Sequence, residues 1–337
     1  MPMTRVLIVG DYQDSLNGVS VQMQYLNSLF GPSDSIQTEL FSTRSRLSLK
    51  PLLLPRLLVK AWGCEIINAH GYSNFGFLSV VLCYFVARLL RRRLVIVYHG
   101  AAAEDFFDRF AWLRYFLRAN QPIIVPSGFL ESVFAKYGIT STVIPNGVDL
   151  DRFSYAARTS PKPRIVSTRN LFPVYNIKSA IAALALVQKH YPDAQLTIVG
   201  KGPLRHELES YVCQQAITGV TFLGGVKNAD MPRILADHDI FLNASLQDNS
   251  PGSVLEAFAS GLPVVSTNVG GIPYLVTDHE TGLLVQPDDP EEMADRIVWI
   301  LKNQPEAIAM AHRARESLQE CDAGRLKALW QRALRGF

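Results

Sequence analysis

Asn243–Pro273 reads NASLQDNSPGSVLEAFASGLPVVSTNVGGIP. The apolar run Ile240–Asn243 leads into it, a short polar loop with Pro251 and Gly252 follows, a helical pattern begins near Ser253, and Pro263–Ser266 is apolar and β-branched again. Strand, loop, helix and strand in that order make one βα unit of a parallel sheet. The same alternation extends upstream through Arg164–Ser167, Gln195–Val199 and Thr221–Leu223, each followed by a helix-length amphipathic stretch. A second series occupies the first half, with strands expected at Val6–Val9, Ile36–Phe41, Glu65–Ala69, Leu94–Tyr98 and Ile123–Val125, and helices after Gly18 and Phe75.

Between the two series the pattern breaks into PNGVDLDRF and a polar stretch ending SPKP, which places a domain boundary within residues 146–163. The expected division is 1–155, 156–320 and a tail 321–337. Pro290–Phe337 is nearly all helical in pattern, and its end is expected to pack back on the first domain.

A length of 337 residues accommodates two domains, each burying its own sheet. With 48% hydrophobic and 19% charged residues the chain is globular, which excludes the disordered and fibrous classes. Up to Ser160 there are 16 basic and 11 acidic residues, and after it 17 and 19. So small a basic excess most often signifies no anionic partner, and no nucleic acid is expected. Cys64, Cys83, Cys213 and Cys321 stand apart without metal or disulfide spacing, and the start MPMTRVLIVG enters a strand pattern directly. Both features lead to the expectation of a cytoplasmic protein. The longest apolar run, Phe75–Leu90, is interrupted by Arg88 and ends at Arg91–Arg93, short of the roughly 20 residues of a membrane span. It reads as a buried or interfacial helix. Docking of this helix on anionic lipid is one reading, and a core helix with solvated arginines is the favoured one.

Ligands of open α/β sheets bind beyond the C-terminal ends of the strands, where the DNSPGS loop falls. Asp248 would remain in that loop while Glu256 lies about one turn into the helix. Carboxylates accept hydrogen bonds from vicinal hydroxyls, and free N–H groups at a helix start attract phosphate. Taken alone, two acids at this spacing more often describe a loop cap and a helix-face residue.

The whole phrase, however, resembles the donor-binding signature of glycosyltransferase family 4. There two acids are separated by seven residues and the second opens a phrase such as EAFASGLPVV, followed by GGIP and, further on, HETGLLV. The similarity runs from about Ala119 to Pro290 and includes VPSGF, VIPNGVDLDRF and LTIVGKGP. It implies an α/β protein of the GT-B fold, two Rossmann-like doubly wound domains facing a central cleft, the first binding the acceptor and the second the nucleotide-sugar donor. It also implies that Asp248 contacts the donor sugar, Glu256 the ribose diol, and Asn249, Ser250, Gly252 and Ser253 the diphosphate or sugar. The first acid is usually Glu, so Asp248 marks a divergent member.

Arg169, just after the strand ending at Ser167, suits a clamp on the departing diphosphate. The family pairs such an Arg with a Lys about six residues on. Lys178 is nine positions away, and a solvated helix residue describes it equally. His99, followed by Gly100, ends a strand; the resemblance places it against the donor sugar. Asn17 and Gly18 follow the first strand, and Gly18 is a candidate phosphate contact. Gly200 and Gly202 of GKGP form either a loop near the nucleotide base or a plain glycine turn.

The activity so implied is retaining sugar transfer from a UDP-, GDP- or ADP-linked donor to an acceptor saccharide or lipid-linked saccharide, with no metal and no other cofactor. Alternatives are a nucleotide-sugar epimerase and a non-catalytic binding subunit.

Overall fold

The computed structural model describes residues 3–12, 18–44 and 53–336. They divide into two compact units, 1–147 with 320–337, and 148–319.

The first unit is built on a parallel sheet of β1 (Thr4–Gly10), β2 (Ile36–Ser42), β3 (Ile66–Gly71), β4 (Arg93–Tyr98), β5 (Ile123–Val125) and β6 (Thr142–Val143), in the order β2-β1-β3-β4-β5-β6. Val6–Val9 of β1 are each at most 1% exposed. A continuous apolar run suits a strand covered on both faces, as parallel strands are. The covering helices are α1 (Gly18–Ser28), α2 (Leu53–Trp62), α3 (Leu78–Leu90), α4 (Ala103–Arg109), α5 (Trp112–Ala119) and α6 (Gly128–Lys136). The long apolar run becomes α3, with Val80, Cys83, Val86 and Ala87 turned inward and Leu78, Phe85 and Leu89 outward. Helix α2 packs on α3, and Tyr84 of α3 meets Phe116 of α5 with ring centres 5.1 Å apart. These three helices therefore lie side by side.

The second unit repeats the plan with β7 (Arg164–Ser167), β8 (Gln195–Val199), β9 (Val220–Gly224), β10 (Ile240–Asn243), β11 (Val264–Thr267) and β12 (Leu283–Val285), all parallel, in the order β12-β11-β10-β7-β8-β9. Its helices are α7 (Ile177–Val187), α8 (Arg205–Gln214), α9 (Met231–Ala236), α10 (Gly252–Ala259), α11 (Pro290–Lys302) and α12 (Gln304–Ser317). Chain order runs outward from β7 to β9 on one side and from β10 to β12 on the other. The order reverses between β7 and β10, whose following loops part there and open a crevice.

The final helix, α13 (Ala323–Arg335), belongs to the first unit. Leu326 and Trp330 are buried, Lys327 pairs with Asp34 at 2.8 Å, and Arg93 donates to the carbonyls of Leu334 at 2.7 Å and Ala333 at 3.1 Å. A guanidinium at a helix C-terminus satisfies carbonyls that no further turn can reach.

The expected strands are all present, within one or two residues of their observed ends. The edge strands β6 and β12 and the helices α2, α4, α5 and α6 were not read from the sequence. Two- and three-residue strands are too short to show periodicity. Three of the four cysteines are buried, Cys213 is exposed, and none forms a disulfide among the described residues.

Candidate active site

The reversal point of the second sheet brings Arg169 and Asp248 together. Arg169 follows β7 and Asp248 follows β10, and their side chains form a buried ion pair between Nη2 and Oδ2. Arg169 Nη1 also donates to Ser253 Oγ at 2.9 Å, and its guanidinium lies 4.3 Å from the centre of the Tyr175 ring. A planar guanidinium stacked on one face and hydrogen-bonded at its edge has little freedom left. Its Nε is buried without a partner among the described residues. The second Asp248 oxygen accepts from the Asn249 N–H at 3.1 Å.

Glycines seat both loops. A Cβ at Gly200 would lie 2.2 Å from the Arg169 carbonyl oxygen, and one at Gly202 would lie 2.2 Å from that of Leu171. Lys201, between them, accepts from Leu171 N–H at 2.9 Å and donates its own N–H to Asn170 Oδ1 at 3.1 Å. Thus the GKGP turn carries the Arg169 loop. Gly271 of GGIP does the same for the other loop: its N–H donates to the Asp248 carbonyl at 3.1 Å, and a Cβ there would meet the Asn249 oxygen at 1.9 Å.

Helix α10 starts at Gly252 after Pro251, with no side-chain cap, and the N–H groups of Gly252 and Ser253 have no acceptor among the described residues. Such N–H groups and the helix dipole favour an anion. Glu256 is half-buried one turn on, and its carboxylate has no hydrogen-bond partner among the described residues. Burial pushes its pKa up to about 7, opposed by the positive charges of Arg152 and Arg169. Ser250 sits in the same loop, partly buried.

Lys178 is exposed on the first turn of α7, with Nζ 4.9 Å from the centre of the Tyr211 ring, and no hydrogen bond joins it to Asp248 or Ser253. In the first unit, Gly18 opens α1, and a side chain there would meet no described atom within 4 Å. Asn17 is outside the described residues. His99, just beyond β4, has its Nε2 2.9 Å from Nδ1 of His70, and burial lowers its pKa to about 4. His70, Asn68, Tyr175 and Arg152 were not read from the sequence as site residues. The one signal for them was the repeated His-Gly at 70–71 and 99–100. Among the described residues no group of three His, Cys, Asp or Glu is placed to hold a metal ion.

Two doubly wound parallel domains in one chain define the GT-B architecture. The chain superimposes on Anabaena HepE, solved with UDP-glucose, with a TM-score of 0.80 at 20% identity, covering 99% of this chain and 100% of that one. For sucrose-phosphate synthase from Thermosynechococcus elongatus the TM-score is 0.82 at 19% identity, with 98% of each chain covered. Residues 31–152 match the family described as Glycosyltransferase Family 4, and residues 162–303 that described as Glycosyl transferases group 1. The GDP-mannose-dependent alpha-(1-6)-phosphatidylinositol monomannoside mannosyltransferase of Mycolicibacterium smegmatis is 31% identical over 288 residues, 77% of this chain and 75% of that protein. The chain therefore belongs to glycosyltransferase family 4. The sulfoquinovosyl transferase of Arabidopsis thaliana is 25% identical over 311 residues, 82% of this chain. The alignments span 58% of that plant protein and 55% of the corresponding Mycobacterium tuberculosis mannosyltransferase, little more than half of each.

Proposed function

We propose that this chain transfers a sugar from a nucleoside-diphosphate donor to an acceptor hydroxyl with retention of the anomeric configuration. The observation that carries the reading is the convergence of the buried Arg169–Asp248 pair, the uncapped start of α10 and the unpartnered Glu256 at one sheet reversal. Cleaving the bond between anomeric carbon and phosphate leaves positive charge on the sugar and negative charge on the diphosphate. Arg169 and the N–H groups of Gly252 and Ser253 are fixed donors for that developing negative charge. Glu256 accepts from the ribose diol and Asp248 from a sugar hydroxyl. The acceptor oxygen bonds to the anomeric carbon on the face the phosphate leaves, and the departing phosphate takes the acceptor proton. The scheme uses no metal ion. The GDP-mannose-dependent relative and the UDP-glucose held by HepE support a guanosine or uridine diphosphate sugar as donor.

The acceptor side has its own support. Residues 53–62, 78–92 and 112–119, which are α2, α3 with the turn after it, and α5, carry seven basic residues and no acidic one. Val59, Trp62, Phe85, Leu89 and Tyr115 on these helices are 62–75% exposed. Exposed aromatic and aliphatic side chains among arginines suit the interface of an anionic bilayer. The reading is a peripheral protein at the cytoplasmic face of a membrane, acting on a lipid-linked saccharide. No helix among the described residues is long and apolar enough to cross a membrane.

Incubating the purified protein with a panel of nucleotide sugars, with and without candidate acceptors, tests the proposal through nucleotide release. Acceptor-dependent release is the expected result. Donor binding without release under any condition would sink the transferase reading and leave the binding-subunit alternative; conversion of the sugar without transfer would leave the epimerase.

A further inference from the structure

Two His-Gly pairs lie side by side in the first unit. His70–Gly71 ends β3, and His99–Gly100 follows β4, with the His99 N–H donating to the Gly71 carbonyl at 2.9 Å. The His70 ring sits between two partners: its Nε2 is 2.7 Å from Asn68 Oδ1, and its Nδ1 is 2.9 Å from His99 Nε2. The two rings are inclined by only 16°, with centres 5.1 Å apart. A ring nitrogen lies about 1.1 Å from its ring centre, so a contact of about 2.9 Å along the line of centres requires a separation of about 5.1 Å. The imidazoles therefore meet edge to edge in an in-plane N–H···N bond, not face to face.

The protons in this chain can be followed. An amide oxygen only accepts, so the proton of His70 is on Nε2. Burial keeps His70 and His99 neutral at physiological pH, and a neutral imidazole carries one proton. Nδ1 of His70 is then an acceptor, and Nε2 of His99 must be the donor. Nδ1 of His99 is left with a lone pair, on a ring only half-buried, and makes no hydrogen bond among the described residues. Both histidines border a small cavity that Gln22, Tyr25, Asn146 and Trp330 also line.

We propose that Asn68 and His70 are positioning residues that hold His99 in one neutral tautomer, proton on Nε2 and lone pair on Nδ1, so that Nδ1 accepts a hydrogen bond from a hydroxyl of a bound reactant. The last step rests on the transferase reading; the tautomer itself does not. A sugar hydroxyl can donate or accept, and a fixed acceptor admits only the donating orientation. The arrangement thus selects among hydroxyl geometries instead of binding any polar group.

Nitrogen–proton correlation spectra of the imidazoles, recorded on the full chain with labelled histidine near neutral pH and without donor, read the tautomers directly. The expected spectrum has His70 and His99 both protonated on Nε2. In His70→Leu the acceptor is gone and His99 becomes an exchanging mixture; in His70→Asn the amide oxygen takes the place of Nδ1 and the Nε2 form returns. Turnover is expected to fall at least about tenfold in His70→Leu and to recover in His70→Asn. Asn68 Nδ2 has no partner among the described residues, so an inverted amide is the relevant rival. It would move the protons to Nδ1, and a His99 protonated on Nδ1 in the native chain overturns the proposal. A His99 tautomer unchanged in His70→Leu overturns it too. If the tautomer responds but kcat and KM do not, the relay stands and the role of His99 toward a reactant falls. Should His70→Leu fail to fold, the native and His70→Asn spectra decide.

Discussion

Arg169 and Asp248, 79 residues apart in sequence, form an ion pair that is buried on both sides. Each arrives on a loop following a central strand, one after β7 and the other after β10, so the pair ties together the two halves of the second sheet where its order reverses. An uncompensated buried charge is costly, and removing one partner of such a pair typically costs about 3–5 kcal/mol.

Asp248→Asn is accordingly expected to lower the stability of the free protein by several kcal/mol. Bound nucleoside diphosphate should recover part of that loss, because phosphate oxygens replace the missing counter-charge on Arg169. Melting temperatures of wild type and variant, each with and without that nucleotide, make the comparison. An equal nucleotide-induced shift in both proteins would refute contact between Arg169 and phosphate. Arg169→Lys, which loses the planar stack on Tyr175, is expected to lower kcat by about 100-fold or more with the fold retained.

Glu256 makes stability and binding pull in opposite directions. In the unfolded chain it titrates near 4.5, and in the folded protein near 7. Between those values the unfolded chain has released a proton that the native state keeps, so stability present below about pH 4.5 is lost as pH rises through about 7. One pKa unit corresponds to about 1.4 kcal/mol, so the full loss is about 3 kcal/mol, reduced by whatever solvent reaches the half-buried group. Glu256→Gln should therefore be more stable than wild type at pH 8 and no more stable at pH 4, while Glu256→Ala loses donor affinity with the fold intact. Denaturant titrations at both pH values, with nucleotide binding measured alongside, check this; unchanged affinity in Glu256→Ala would refute the ribose role.

Gly200→Ala and Gly271→Ala test how the loops are seated. Each added Cβ would fall within about 2 Å of a carbonyl oxygen, that of Arg169 or of Asn249, and the loop must move. A stability cost of about 1–3 kcal/mol and a disproportionate fall in kcat are expected, since a displacement of about 1 Å at a reacting centre is worth about 100-fold. Steady-state kinetics beside thermal melts separate the two effects. Full kcat in a variant that has lost stability would show that these glycines serve packing alone.

The exposed face of α2, α3 and α5 predicts reversible lipid binding. Sedimentation with vesicles containing anionic phospholipid should retain the protein, and neutral vesicles or raised salt should release it. Replacing Trp62 and Phe85 with Ser, or Arg91 and Arg92 with Glu, is expected to weaken retention at least about tenfold without changing donor binding. Equal retention on neutral and anionic vesicles would remove the electrostatic half of the reading.

The amino-acid sequence by itself determined two alternating βα series, a break in the pattern within residues 146–163, and the phrase running from Asp248 to Pro273. Those are local properties: apolar runs of strand length, helix-start residues and glycine-bearing turns are written in neighbouring positions. It could not reveal that Asp248 is paired with Arg169, that Gly200 and Gly202 make room for the Arg169 loop, or that the Lys178 ammonium lies over the Tyr211 ring. It also passed over His70 and Asn68, which looked like ordinary strand residues, and the short edge strands β6 and β12. Only the tertiary structure decides such matters, because strand order in a doubly wound sheet is not chain order: residues tens of positions apart meet where the order reverses, and their charge, tautomer and pKa follow from that meeting.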